Sequence, residues 1–264
     1  MAKRNNILKA LAGSSWGQQK ETLLVTYKAI GRSIANYAAP VWTPNTSHSS
    51  FKKIQTSQNA ALRTITGCLK LTNIDHLHQE TTMLPIKEHS DLLAAQYLAG
   101  CIQNELHPCH NISNRPPPPR QMKETLYTKY HQLVQPLLID GNSMASKKAI
   151  HSAVVTRTIN NLNPNVTLGG RPPPISTTET SLSRKQRTTL AQLRSGYCSL
   201  LNNYKHRLDA HVPDTCSDCG VSPHDIHHLF HCPAHPSTIT PEHLWSQPHK
   251  AIVTLGYLDN ELGY

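Results

Sequence analysis

The sequence predicts a mainly α-helical chain: a helical bundle, a proline-rich linker and a small C-terminal domain stapled by a metal. Three observations carry this expectation. Apolar residues recur at steps of three and four in several windows, strand-like alternation is scarce, and Cys and His crowd into one short segment near the end. The 264 residues suffice for one large domain or two small ones. A hydrophobic share of 38% with only 2 Phe and 3 Trp leaves most packing to aliphatic residues and Tyr.

Along the chain, Leu23, Tyr27, Ile30, Ile34 and Tyr37 line one face of a first helix. Ile54, Gln58, Ala61, Leu62 and Ile65 predict a second, closed by Gly67. Leu92, Leu93, Tyr97, Cys101 and Ile102 predict a third over 90–104, and Met122 to Leu138 reads as a further amphipathic stretch. Leu190, Leu193, Tyr197, Leu200 and Tyr204 carry the same rhythm up to the Cys/His segment. Pro116–Pro119 stops any helix. Gly169-Gly170-Arg171-Pro172-Pro173-Pro174 opens a Thr/Ser-rich stretch to Ser183, read as an extended spacer. The expected division is a helical region over 1–110, a Pro/Ser/Thr-rich linker with one or two helices over 111–183, and a basic helix with a metal-binding region over 184–264.

The formal net charge is +10, which favours polyanionic partners, RNA or DNA foremost. Residues 1–70 carry ten Lys and Arg against the single acid Glu21, a local balance of +9. Thr180 to Leu208 carries Arg184, Lys185, Arg187, Arg194, Lys205 and Arg207 and no acid. These six, with Lys52, Lys53 and Arg63, are the predicted nucleic-acid contacts. No apolar run is long enough to span a membrane, and Lys9 interrupts the N-terminal apolar stretch too early for a secretory signal. Seven cysteines, an odd number with three in one segment, argue for a reducing compartment and metal binding over a disulfide framework.

That segment runs from Cys216 to Cys232 in the form C-x2-C-x7-H-x4-C. A C-x2-C pair on a tight turn aims two thiolates at one point, Gly220 lets the chain turn away, and His227 with Cys232 closes a tetrahedron around zinc. His228, with an x3 spacing to Cys232, is the main alternative to His227, and His224 and His231 are also in reach. His227 is preferred because it leaves Leu229 and Phe230 to pack beneath the metal. Four protein ligands make the site structural and not hydrolytic, and so small a fold depends on its metal. Trp245, Tyr204 and Phe230 are read as core residues ahead of base-stacking ones.

With these residues in view, the chain resembles the C-terminal region of a LINE-type, jockey-like non-LTR retrotransposon reverse transcriptase. Four stretches carry the likeness: Ile7 to Gly17 followed by Glu21; Tyr27 to Trp42 with Tyr37, Pro40 and Val41; Ile54 to Gly67 with Gln58, Asn59 and Arg63, then Leu84-Pro85-Ile86; and Leu190 to Tyr197 with Arg194 and Gly196, then Tyr204 and the Cys/His cluster. The resemblance implies a thumb-like helical bundle that grips primer and template, and a CCHC zinc knuckle that holds RNA or DNA. It also implies an intracellular location, nucleus or cytoplasm, with no membrane and no small-molecule substrate. RNA-directed DNA polymerase activity requires carboxylates that bind two metals, and this sequence has neither an Asp-Asp pair nor an aromatic-x-Asp-Asp motif. The expectation is therefore a truncated, non-enzymatic nucleic-acid-binding portion. Two other readings stand beside it. A zinc-dependent protein-interaction adaptor would use the proline runs. A zinc hydrolase or deaminase would need H-x-E with P-C-x-x-C, where this chain offers only His78-x-Glu80 and has Thr215 before Cys216.

Overall fold

In the computed structural model, which describes residues 2–13, 15–113 and 124–256, the chain is helical and the described residues contain no strand. The helices used below are α1 (Lys20–Tyr27), α2 (His48–Thr66), α3 (Ile74–Thr81), α4 (Ile86–Gln103), α5 (Leu126–Val134), α6 (Ser143–Asn161), α7 (Arg184–Arg194), α8 (Asn202–Leu208) and α9 (Ile226–His231). They build two compact units. One comprises Met1–Lys3, Lys28–Gln58 and Met83–Leu162; the other comprises Arg4–Tyr27, Asn59–Thr82 and Asn163–Tyr264. This division does not follow the boundaries at 110 and 183 expected from composition, because each unit gathers segments distant in sequence. The proline run at 116–119 and the start of the stretch at Met122 lie outside the described residues.

The first unit is centred on α4, α5 and α6. Leu92, Ala95, Leu98 and Ala99 of α4 bury against Tyr130 and Val134 of α5 and Ile150 and Val154 of α6. The alanines let the helices approach closely, and each is fully buried. Tyr130 donates its hydroxyl to Asp91 at 2.6 Å, so the one polar tip at this contact is satisfied. The α6 helix, capped by the Asn142 side chain on Ala145 N, falls within the stretch expected to be linker. Arg32 Nη2 and Gln58 Nε2 both donate to Leu84 O, and Ile86 N donates to Gln55 Oε1. Gln58 is thus a buried brace for the Leu84-Pro85-Ile86 turn.

The first predicted helix is interrupted. A π-turn over Lys28–Arg32 inserts a residue into the helical repeat, rotating the downstream side chains by about 100°. Leu23 and Tyr27 are buried as the period requires, but Ile34 is 41% and Tyr37 82% exposed. The second helix forms and ends at Gly67, whose φ is +72° and where an added Cβ would lie 2.4 Å from Thr188 Cγ2. The position therefore requires glycine twice over.

In the second unit, α7, α9 and the C-terminal turns share one core. Leu190 and Leu193 meet Ile226 and Phe230, together with Leu244, Trp245, Ala251 and Ile252. The α7 helix begins with a capping box of Ser183 and Gln186 and does not run on to residue 207. Thr167 Oγ1 and Asn165 Nδ2 donate to Arg194 O at 3.0 Å, and Gly196 turns away with φ +80°. These contacts end the helix that the sequence rhythm suggested would continue.

Candidate metal centre

The chain from Cys216 to Val221 forms a tight loop. Gly220 N donates to Cys216 O and Cys216 N to Val221 O, at 3.0 and 2.9 Å. Gly220 takes φ +73°, the left-handed conformation that lets the loop reverse after the second cysteine. The N–H groups of Asp218 and then Cys219 point at the Cys216 sulfur and pull its thiol down to about 6. At neutral pH that sulfur is ready as a thiolate ligand.

The opposing donors come from α9 and from Cys232, the residue that caps its end. Asp225 caps this helix by accepting from His228 N at 2.9 Å, which fixes where the helix begins and therefore which side chains face the loop. Ile226 and Phe230 are turned into the core. His228 and Cys232, four residues apart, fall on one side; His227, five residues from Cys232, is rotated about 140° from it and is exposed. The structure thus corrects the expected ligand set: Cys216, Cys219, His228 and Cys232 bring their ligand atoms within 4.8 Å of one another, and His227 is not among them. Cys219 Sγ lies 3.4 Å from His228 Nε2, and Cys216 Sγ lies 4.0 Å from Cys232 Sγ. The latter spacing is far beyond an S–S bond of about 2.05 Å, so the thiols converge without being joined. The pattern is C-x2-C-x8-H-x3-C, and its four donors form a closed group that could hold a metal ion. His224, the other candidate, is engaged elsewhere, its Nδ1 accepting from Asn202 N.

A short cationic helix is tied to this loop. Asn202 Nδ2 donates to Thr215 O at 2.7 Å, Asn203 N donates to His224 O, and His206 Nδ1 lies 2.6 Å from Val212 O. Through these bonds α8 is held against the loop, with Lys205, His206 and Arg207 exposed. Arg207 lies over the Tyr197 ring at 5.4 Å.

The remaining predicted contacts sort differently. Arg194 has no exposed surface. Its guanidinium binds Glu80 at 3.1 Å, Glu179, and the Leu244 carbonyl. Lys20 bridges the same two carboxylates at 3.0 and 3.2 Å. Arg187 is 4% exposed and bonds Glu21 and Glu179. Arg184 is 5% exposed and donates to the Thr64 and Ile65 carbonyls, satisfying the C-terminal end of α2. Arg184, Arg187 and Arg194 are therefore internal and not phosphate contacts. The acid-free run recruits its acids from positions 21, 80 and 179, a partnership invisible in local sequence. Arg63 is half-buried and donates to Thr72 O at 3.2 Å. Lys185 is exposed on α7, and Lys52 and Lys53 are exposed on α2 in the first unit. Phe230 and Trp245 are core residues and Tyr204 is half-buried. His78 and Glu80 are buried, with Glu80 committed to Lys20 and Arg194. No described helix is long and apolar enough to cross a membrane. Searched against known proteins, the chain matches no family model, no curated protein and no solved structure.

Proposed function

We propose that the metal is zinc and that the chain is a nucleic-acid-binding portion of a non-LTR retrotransposon reverse-transcriptase protein, without polymerase chemistry of its own. The observation that carries the reading is the Cys3His group with a cationic helix bonded to its loop. Zinc–sulfur bonds of about 2.3 Å set thiolates roughly 3.8 Å apart in a tetrahedron, and a zinc–nitrogen bond of about 2.0 Å brings imidazole roughly 3.5 Å from sulfur. The 4.0 Å and 3.4 Å separations agree with both values. Zinc filling all four positions with protein ligands fixes the loop and holds no water to activate. Lys205 and Arg207 on α8, with Lys185, then serve as the phosphate-facing cations, and the resemblance supplies RNA or DNA as the polyanion.

The test is filter binding of single-stranded RNA, single-stranded DNA and duplex across a salt series. Lys205→Ala with Arg207→Ala is expected to weaken binding and reduce the slope of log K on log salt by about 2. Binding that ignores both salt and the double substitution would overturn the nucleic-acid reading. It would favour the protein-interaction adaptor, for which the exposed Leu200 and Val221 near the loop are the available apolar contacts.

A further inference from the structure

The seven cysteines sort into three groups. Cys216, Cys219 and Cys232 belong to the metal group. Cys68 and Cys198 are buried, and burial pushes their thiols up to about 12 and about 11, which leaves them inert as nucleophiles. Cys101 and Cys109 remain, and they lie together at the end of α4.

Cys101 sits in the last turn of α4 and Cys109 just before the short helix His110–Ser113. The Tyr97 hydroxyl lies 3.6 Å from Cys109 Sγ and also interacts with the Cys101 thiol, so one phenol links both sulfurs. His107 Nε2 is 3.9 Å from Cys101 Sγ, and the His107 ring stacks edge-on against Tyr97 with centroids 5.5 Å apart. Cys109 N donates to His107 Nδ1 at 3.1 Å. That bond uses the Nδ1 lone pair and leaves the proton on Nε2, aimed at sulfur. An imidazole so held is a donor to a thiolate and has no lone pair facing the thiols for a metal. Cys101 is fully buried and Cys109 half-exposed, so an oxidant meets Cys109 first. The connecting turn brings the two ends together through His110 Nδ1, 2.9 Å from Cys101 O, and carries Leu106 93% exposed at its tip.

We infer that Cys101 and Cys109 are a redox-active dithiol, oxidised to an intramolecular disulfide by a peroxide. The Cys109 thiolate attacks one peroxide oxygen, the O–O bond breaks, and Cys109 becomes a sulfenic acid as water leaves. The Cys101 thiolate, stabilised by His107 Nε2–H, then attacks the Cys109 sulfur and releases a second water. Two thiols lose two electrons and the peroxide gains them.

The test treats the full metal-loaded chain with equimolar hydrogen peroxide, alkylates it and maps peptides with and without reductant. The expected result is a Cys101–Cys109 linkage that forms before any metal-site thiol is lost. Cys101→Ser should accumulate a trappable sulfenic acid at Cys109, and His107→Ala should slow disulfide closure about tenfold. Oxidation of the metal-site thiols ahead of this pair would overturn the inference. So would a second bound metal per chain that Cys109→Ser removes. The wild-type map decides the matter even if a variant fails to fold.

Discussion

Replacing His228 and His227 one at a time separates the two ligand sets by orders of magnitude. Structural zinc contributes about 10–16 kcal/mol of apparent binding energy at neutral pH. Shared over four ligands, that is roughly 2.5–4 kcal/mol each, or about 10²–10³ in Kd. His228 Nε2 stands 3.4 Å from Cys219 Sγ, so His228→Ala removes a donor and is expected to weaken metal binding by that factor. His227 is exposed, and the hydrogen bond between His231 Nδ1 and its carbonyl survives truncation. His227→Ala should therefore bind metal within about threefold of the parent, a change of under ~1 kcal/mol. The assay is zinc competition against a chromophoric chelator, with metal content measured after dialysis. The α9 register would be refuted if His227→Ala lost the metal while His228→Ala kept it. Equal losses would place both imidazoles at the ion, which the helical geometry does not allow.

The buried ion network supplies two further expectations. Arg194→Met leaves Glu80 with Lys20 alone and Glu179 with Lys20 and Arg187 and should destabilise the second unit by about 3–5 kcal/mol in urea unfolding; a loss within about 0.5 kcal/mol, as for an exposed Lys205→Met control, would show the network to be energetically idle. For pH, burial raises the Glu80 carboxyl, but Lys20 and then Arg194 outweigh it and hold it well below the usual carboxylate range. A depressed folded value means that the stabilisation is complete above the unfolded value of about 4.3 and fades as pH falls below it. Melting temperature should therefore drop below about pH 4, and the drop should flatten in Glu80→Gln; an unchanged acid profile in that variant would assign the effect to other carboxylates.

Periodicity made the helical class legible, along with the α2 and α4 windows and the Gly67 stop, because each depends on neighbours three or four residues away. The break after Tyr27 was not legible, since a π-turn leaves no composition signal and only moves later residues out of phase, as Ile34 and Tyr37 show by their exposure. The three cysteines of the cluster were legible from spacing alone. The histidine was within reach too: Asp225 caps α9, and counting from that cap places His228 and Cys232 on one side. A preference for His227 requires Leu229 and Phe230 to pack beneath the metal. Instead, Ile226 and Phe230 set the rotation by entering the shared core.

The largest departure concerns where charge resides. A run of Arg without Asp or Glu looks like a polyanion-binding face, but Arg187 and Arg194 sit with Lys20 against Glu21, Glu80 and Glu179, three cations against three anions. The network is neutral, so removing it from the surface leaves the chain's +10 untouched. The excess must lie on other residues, Lys205 and Arg207 beside the metal loop and Lys52 and Lys53 on α2 among them. Attraction to a polyanion follows from the whole balance, whereas the contact face follows from which side chains reach solvent. Arg194, which the sequence resemblance brings forward, fails this second requirement because it is sealed; Glu21, from the same resemblance, reaches solvent but is an acid bound to Arg187. Their part is to tie α7 to α1 through Glu21 and to α3 through Arg194, and in the proposed function the work of recognition falls to the short helix that the metal loop holds in place.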